Sequence, residues 1–473
     1  MRTRAPRSGK PFPWREFLLQ LAAIALPVAL QNVLTTTASM VDTIMLASRG
    51  ELTVGAVGLC SQFSSLQISC FWGFVGGGML FFAQYFGAKD HEGICHSFGL
   101  VLICMVSVGC LFGLPAILAP HVIMGLYTDK AAIQEIGIRY LRIVGFAYPL
   151  QTIAQAQCAL LRSTERVRIP LIASIAALTT NFICNFILIY GRFGFPALGE
   201  RGAAIGTLMA AIVNVAMILI LSGCVREPYL LRIREHFRFG KDLFSKFFGK
   251  CFPILCNEVL IGISNMVVSV VIGHQAEEAI IATAVFRTLE GFVLAFFSGF
   301  TSAASVLIGT CIGAGDHETG YQRALRLVRI VPATVFCVVL VLLGLRNPIM
   351  HAMGLRDRSF EIGVYMLMIY AVMGSIRMTN WIQNDTFRAA GDPVFGTVRE
   401  ILFAYFLVIP SMLISGVWLK LPFLIVFFCS YIDEPIRVVL MLRHTISGKW
   451  IKPLTPEGMA TLEDFSKAHQ IIT

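Results

Sequence analysis

Apolar runs of some twenty residues or more recur along this chain from Phe17 to about residue 443 and leave only short polar stretches between them. At roughly 1.5 Å per residue such a run crosses the ~30 Å hydrocarbon core of a bilayer as a helix. Inside lipid a backbone must satisfy its own hydrogen bonds, so the pattern leaves few alternatives to a bundle of membrane-spanning helices. The composition agrees: 56% of the 473 residues are hydrophobic, 14% are charged, and the mean hydropathy is +0.74. The first apolar segment is too long for a cleaved signal peptide and is expected to be retained.

Twelve spans are predicted, at about 17–47, 52–86, 94–119, 132–161, 168–190, 200–224, 244–273, 278–313, 322–346, 360–388, 394–416 and 421–443. They divide the chain into an N-tail (1–15), a first six-helix lobe (16–224), a linker (225–243), a second six-helix lobe (244–443) and a C-tail (444–473). With the N-terminus placed inside, about 26 Lys and Arg residues fall on the inner side and about 8 on the outer, which puts both termini in the cytoplasm. The net charge of +10 therefore reads as membrane orientation and not as a nucleic-acid surface. The 13 cysteines are odd in number, sit mostly in apolar segments and include no C-x-x-C pair, so they read as small core residues, with neither a disulfide framework nor a zinc site. The linker from Arg226 to Lys241 reads as a cytoplasmic connector with some amphipathic surface contact.

The two lobes repeat. A shift of 226 positions carries Pro27 onto Pro253, Gly87 onto Gly313, Asp90-His91-Glu92 onto Asp316-His317-Glu318, Arg162 onto Arg388 and Pro196 onto Pro422. One constant offset over that much chain indicates duplication. Six is an even number, so both copies enter the membrane from the same side and form parallel pseudo-symmetric lobes around an expected central cavity. Asp90 and Asp316, each placed after a glycine that ends a span, are expected to favour the start of the next helix. Adjacent Asp, His and Glu point in different directions, so no metal site is read there.

Polar residues at membrane depth are the functional candidates, because each is costly unless it has a partner or a wet cavity. Asp42 is the one acid of the first span, and Pro27, some four turns earlier, removes a backbone hydrogen bond and is a candidate hinge. Asn181 and Asn185 are four apart and share a helix face; they either bridge helices or line a pocket around Asp42. An acid among neutral amides is a candidate for loading and releasing a proton, and the same oxygens would suit Na+. Glu258 lies midway along the seventh span at the repeat position of Asn32, as a counter-charge for a cationic substrate, a second protonation site, or a carboxylate neutralised by a buried arginine. Arg287 and Glu290 are spaced to pair with each other, Asp385 and Arg388 to position a loop, and Asp433, Glu434 and Arg437 to pair near the inner surface. Arg377, Asn380, Gln383 and Asn384 make the tenth span unusually polar. The run Gly76-Gly77-Gly78 has no lysine after it and reads as close helix packing or local flexibility. No hydrolase, metalloprotease or Walker-type motif occurs, so an enzyme or a self-contained ATP-driven pump is disfavoured.

Leu-Pro-Val-Ala-Leu-Gln-Asn through Val-Asp42-Thr-Ile-Met, Gln-Tyr-Phe-Gly-Ala-Lys-Asp, Leu-Arg162-Ser-Thr and Leu-Gly-Glu-Arg-Gly-Ala-Ala-Ile-Gly-Thr207 stand in the first half. Pro253-Ile-Leu-Cys-Asn-Glu258, Leu-Ile-Gly-Thr-Cys-Ile-Gly-Ala-Gly-Asp and Phe-Arg388-Ala-Ala-Gly-Asp-Pro stand in the second. Together, over about residues 17–443, these resemble the multidrug and toxic compound extrusion (MATE) transporters. The resemblance implies an all-α membrane protein that exports cationic, amphipathic organic compounds by antiport with H+ or Na+, without a cofactor. It implies an ion-coupling cluster of Asp42, Asn181, Asn185 and Thr207, and matches Glu258 to an acid used in some branches. Gln31, Asn32, Asn257, Asn380 and Asn384 are the further candidates for the substrate cavity. Asn185 departs from the pattern, since many prokaryotic members carry Asp there; one carboxylate is left in that half. The expected setting is the cell membrane, as a monomer, because one chain already holds both lobes. A lipid-linked precursor flippase of the wider superfamily is the alternative, and would need basic cavity residues for which only Arg287 and Arg377 stand out; an integral-membrane enzyme is a more distant one.

Overall fold

The computed structural model describes residues 12–469, which are almost entirely helical, with no strand among them. Most of the expected N-tail, residues 1–11, and the last four residues of the C-tail lie outside the described residues. In chain order the helices are α1 (Trp14–Ala47), α2 (Glu51–Gly87), α3 (His91–Leu118), α4 (Pro120–Tyr127), α5 (Ala131–Val144), α6 (Ala147–Ser163), α7 (Arg168–Tyr190), α8 (Glu200–Cys224), α9 (Ile233–His236) and α10 (Lys241–Gly273). They continue as α11 (Glu277–Gly313), α12 (His317–Gly344), α13 (Arg346–Ala352), α14 (Asp357–Ala389), α15 (Pro393–Phe403), α16 (Ile409–Leu413), α17 (Phe423–Cys429), α18 (Glu434–Ser447) and α19 (Pro456–Ala468).

Ten helical stretches among the described residues, 23 to 37 residues long, are long and apolar enough to cross a membrane. The expected fourth and twelfth spans are absent from that set because each is broken. Between α5 and α6 the chain turns at Gly145, whose carbonyl the ring of Pro149 would strike in a continuous helix. Between α17 and α18 it turns at 430–433, and Pro435 in the first turn of α18 has the same effect on the carbonyl four residues back. The eleventh span continues from α15 to Trp418 but widens to a π-helix over 404–408 and 414–418, on either side of Pro410.

The chain divides into two units. Among the described residues, an N-terminal unit holds 30–82 and 90–255; a C-terminal unit holds those up to Ala29, 83–89 and those from 256 onward. The divisions after Ala29 in α1 and after Leu255 in α10 lie 226 positions apart, two residues beyond Pro27 and Pro253. Both helices run uninterrupted through their prolines. Glycine makes the packing at these points possible. In the N-terminal unit a Cβ on Gly73 of α2 would sit 2.6 Å from the Leu255 Cα. In the C-terminal unit the repeat-equivalent Gly299 of α11 presses on the backbone of α1, where a Cβ would lie 2.7 Å from the Ala29 nitrogen. Of the Gly76-Gly77-Gly78 run, Gly77 and Gly78 pack too tightly against Cys251 and Val101 for a side chain, in line with the packing reading.

The repeat extends past the spans into the segment that follows each lobe. Asp90 caps α3 through the Gly93 amide (2.8 Å), and Asp316 caps α12 through the Thr319 amide (3.1 Å), as expected. In the N-terminal unit the linker folds back against α3: the Tyr229 hydroxyl meets His91 Nδ1 at 2.9 Å, and buried His236 reaches the Tyr229 carbonyl at 2.8 Å. Glu227, buried, pairs with Arg166 at 3.0 Å; burial pushes its carboxyl up and the arginine offsets part of the effect. In the C-terminal unit the C-tail makes the corresponding contacts. Thr455 Oγ1 donates to the Gly313 carbonyl (2.7 Å), His317 Nε2 meets the Gly458 carbonyl (2.8 Å), and the Leu454 amide donates to Gln84 Oε1 (2.7 Å).

Asp392 anchors the start of that tail, 3.1 Å from His444 Nε2 and 3.0 Å from Lys452 Nζ. Burial pushes its carboxyl up, but hydrogen bonds from His444 and Lys452 and their charge outweigh this and hold it below the usual carboxylate range. A depressed folded-state value means that the carboxylate stabilises the docked tail at neutral pH, and that this contribution is lost as pH falls through the folded value. Asp392→Asn is therefore expected to raise hydrogen exchange of amides 449–468 at pH 7, with the difference from the parent protein vanishing in acid. An exchange difference that does not change with pH would refute this account of the anchor.

Candidate functional site

Asp42 lies one turn before the end of α1, where hydrophobic contacts hold the helix in place. Met45 and Leu46 pack with Ile189 and Ala203. Arg49 donates to the Ile189 carbonyl at the end of α7, and the Tyr190 hydroxyl donates to the Met45 carbonyl at 3.3 Å. These contacts fix the side of α1 that carries the acid against α7.

There, Asn185 Nδ2 donates to Asp42 Oδ1 at 2.7 Å and to Asn181 Oδ1 at 3.2 Å. The i,i+4 spacing on α7 thus lets the Asn185 amide join Asn181 to the carboxylate. Thr207 of α8 bonds its own helix, to the Ala203 carbonyl at 3.0 Å. Asp42, half-buried, has no ion-pair partner among the described residues. One carboxylate, one amide donor and a set of neutral oxygens can hold one proton or one small cation.

Sequence reasoning missed Gly206. A Cβ there would collide with Asn185 Oδ1, so α8 needs a bare backbone at this position for Asn185 to face Asp42. Its signal was its place beside Thr207 in a small-residue stretch. Gly206→Ala is expected to displace the Asn185 amide and lower transport by tenfold or more in folded protein; proteoliposome uptake measures this, and unchanged uptake would refute the positioning role.

Other candidates are buried within a unit. Gln31, 7% exposed, donates to Ser174 Oγ (2.6 Å) and accepts from Arg162 (2.7 Å), in the N-terminal unit. Asn32 is half-buried in α1, and its carbonyl accepts from Thr36. In the C-terminal unit Asn257 and Asn384 both donate to Glu400 Oε2 at 3.0 Å, and Asn380 donates to Glu434 Oε2 at 2.7 Å. Gln31, Asn257, Asn380 and Asn384, expected as cavity residues, are thus partnered by carboxylates, a serine and a guanidinium, as buried amides must be.

Glu258 pairs with Arg388 at 3.3 Å, the neutralised arrangement among the three weighed for it, and Arg388 also reaches Asp385 at 3.6 Å. The expected pair of Arg287 with Glu290 does not form. Glu290 pairs with Arg377 (3.1 Å) and accepts from Tyr431, while Arg287, exposed, donates to Ser269. Three-residue spacing put Arg287 and Glu290 in reach, but the cross-helix arginine is half-buried where Arg287 is exposed, and it gains more from a carboxylate. Arg437 pairs with Asp433 (3.0 Å) and Glu434 (3.6 Å) as its spacing predicts, and also with Glu400 (3.7 Å). The unit thus gathers six carboxylates, at 258, 290, 385, 400, 433 and 434, on three arginines, at 377, 388 and 437. Glu400 escaped notice because it pairs only through tertiary contacts.

With this geometry in hand, the match to known proteins is specific. The MatE family model matches residues 27–187 and 253–414, two copies whose starts are 226 positions apart. The chain belongs to the MatE family. It is 24% identical over 428 residues to an uncharacterized transporter, YisQ, of Bacillus subtilis, covering 89% of this chain and 91% of that one. It is also 24% identical to the probable multidrug resistance protein YoeA of the same organism, covering 88% and 92%. Its fold matches the Vibrio cholerae MATE transporter VcmN in the bent form, with a TM-score of 0.81 at 16% identity over 96% of this chain and 99% of that one. A MATE structure in the straight conformation matches with a TM-score of 0.80 at 16% identity, over 90% and 94%. This MATE protein is a multi-pass membrane transporter. Of the two arginines on which the flippase reading leaned, Arg377 is committed to carboxylates and Arg287 to a serine.

Proposed function

We propose that this transporter exports cationic or amphipathic organic compounds by antiport with H+ or Na+, and that Asp42 is the group whose charge the ion changes. The observation that carries this is the setting of Asp42: a membrane-depth carboxylate held by Asn185 and without a guanidinium among the described residues, so its charge can change without breaking an ion pair. The names of the relatives support the substrate class, since several are called multidrug resistance proteins. Asn181, Asn185 and Thr207 supply the neutral oxygens and donors around the ion. The C-terminal network adds a second store, because six carboxylates against three arginines leave acids that a proton or cation would neutralise. Ion binding that relieves an unpaired charge favours a bend of α1 near Pro27, and coupling of this kind needs only about 1–3 kcal/mol of differential affinity. The excess of Lys and Arg on one set of loops supports termini on the cytoplasmic side of the cell membrane.

The test is counterflow of an organic cation such as ethidium in proteoliposomes, with proton and sodium gradients imposed separately. Accumulation driven by one gradient and abolished by its collapse is expected. Uptake indifferent to both gradients, or uptake only of lipid-linked phosphate compounds, would overturn the reading.

A further inference from the structure

We propose that the C-terminal unit carries a binding site for one anionic phospholipid, where the spanning helix that starts with α15 meets the folded-back tail. A cavity of about 620 Å³ opens there, between the first turns of α15, the end of α18, the segment leading to α19 and α19 itself. Its apolar part comes from Val394 and Val398, four apart on one face of α15 and 47% and 42% exposed, together with Ile451 and Leu462 from the tail. These valines lie in the first turns of a helical stretch, Pro393–Trp418, long and apolar enough to cross a membrane.

The rim is basic. Arg399 packs 3.4 Å from the centre of the Phe395 ring, and His444 stacks on the same ring at 3.5 Å with planes 7° apart, which places the two on opposite faces. The stack holds the guanidinium in place, and its one hydrogen bond among the described residues goes from Nη1 to the Phe395 carbonyl. Lys449 follows Gly448, whose φ of +69° turns the chain out of α18, and its ammonium pairs with no carboxylate among the described residues. The cavity's one acid, Asp392, is engaged by His444 and Lys452. Two cations with no carboxylate partner among the described residues, beside an apolar cavity at the start of a spanning helix, match a phosphate diester with an acyl chain attached. A soluble phosphate compound would leave the apolar part unfilled, and a zwitterionic lipid would bring a cation toward Arg399 and Lys449.

The experiment is native mass spectrometry of the full-length protein in neutral detergent, titrated with phosphatidylglycerol or with phosphatidylcholine of the same chains. One phosphatidylglycerol is expected to bind at least tenfold more tightly than phosphatidylcholine. The double variant Arg399→Gln, Lys449→Gln is expected to weaken phosphatidylglycerol by ~30-fold and bring the two lipids level. Val398→Trp, which fills the cavity and keeps the charges, is expected to weaken both. Equal affinity of the two lipids in the parent protein, an unaffected double variant, or displacement of phosphatidylglycerol by millimolar inorganic phosphate would each overturn the proposal. Should the double variant fail to fold, Val398→Trp and the parent comparison decide the matter alone.

Discussion

Asp42→Asn is expected to reduce gradient-driven efflux to the level of protein-free vesicles while the protein still folds. Asparagine has nearly the same shape, and its carbonyl oxygen can still accept the hydrogen bond that Asn185 donates at 2.7 Å. The packing of Met45, Leu46 and Ile189 next to it does not depend on the charge. What the substitution removes is the change of charge, and without it neither H+ nor Na+ can distinguish two states of α1. Efflux that persists with an unchanged dependence on the gradient would move the coupling elsewhere, with the C-terminal carboxylates next in line. A variant that loses efflux together with its thermal transition would point to a structural role for Asp42 instead.

Arg437→Met is expected to have the largest effect on stability. Arg437 is buried and holds Asp433, Glu434 and Glu400 within 3.0 to 3.7 Å. Breaking a buried ion pair costs about 3–5 kcal/mol, because the partner is left charged in a medium that solvates it poorly. Here three acids lose that partner. A fall of ~10 °C in the unfolding midpoint in detergent, or loss of folded protein, is the expected readout, and Arg437→Lys should recover part of it. Arg287→Gln serves as the contrast: that side chain is exposed and bonded to Ser269, so the midpoint should hardly move. A midpoint shift for Arg437→Met no larger than that of Arg287→Gln would show that the network is not held by its charges.

The two results bear on different parts of the same duplicated fold. In the N-terminal unit, Arg162 is held by Gln31 while its repeat position, Arg388, is held by Glu258, because Asn32 stands where the second copy has Glu258. The first copy keeps a lone acid among amides, and the second has become a network of acids and arginines. Divergence after duplication has left one carboxylate held by an amide in the first copy and a large charged cluster in the second.

The sequence by itself determined the class, the count of long spans to within two broken ones, the internal repeat and the family. Each of these follows from local properties: apolar length, the positions of proline and glycine, and a constant offset between rare residues. It also put Asn181 and Asn185 on one face, because i,i+4 spacing on a helix decides which side chains share a face, while their association with Asp42 came from the family resemblance. Only the tertiary structure decided that Glu290 takes Arg377 and not Arg287, that Asn257 and Asn384 meet at Glu400, that Gly206 leaves room for Asn185, and that the C-tail repeats the docking of the linker. Partner choice among buried polar groups depends on which helices cross at which depth, and spacing along one helix carries no information about that.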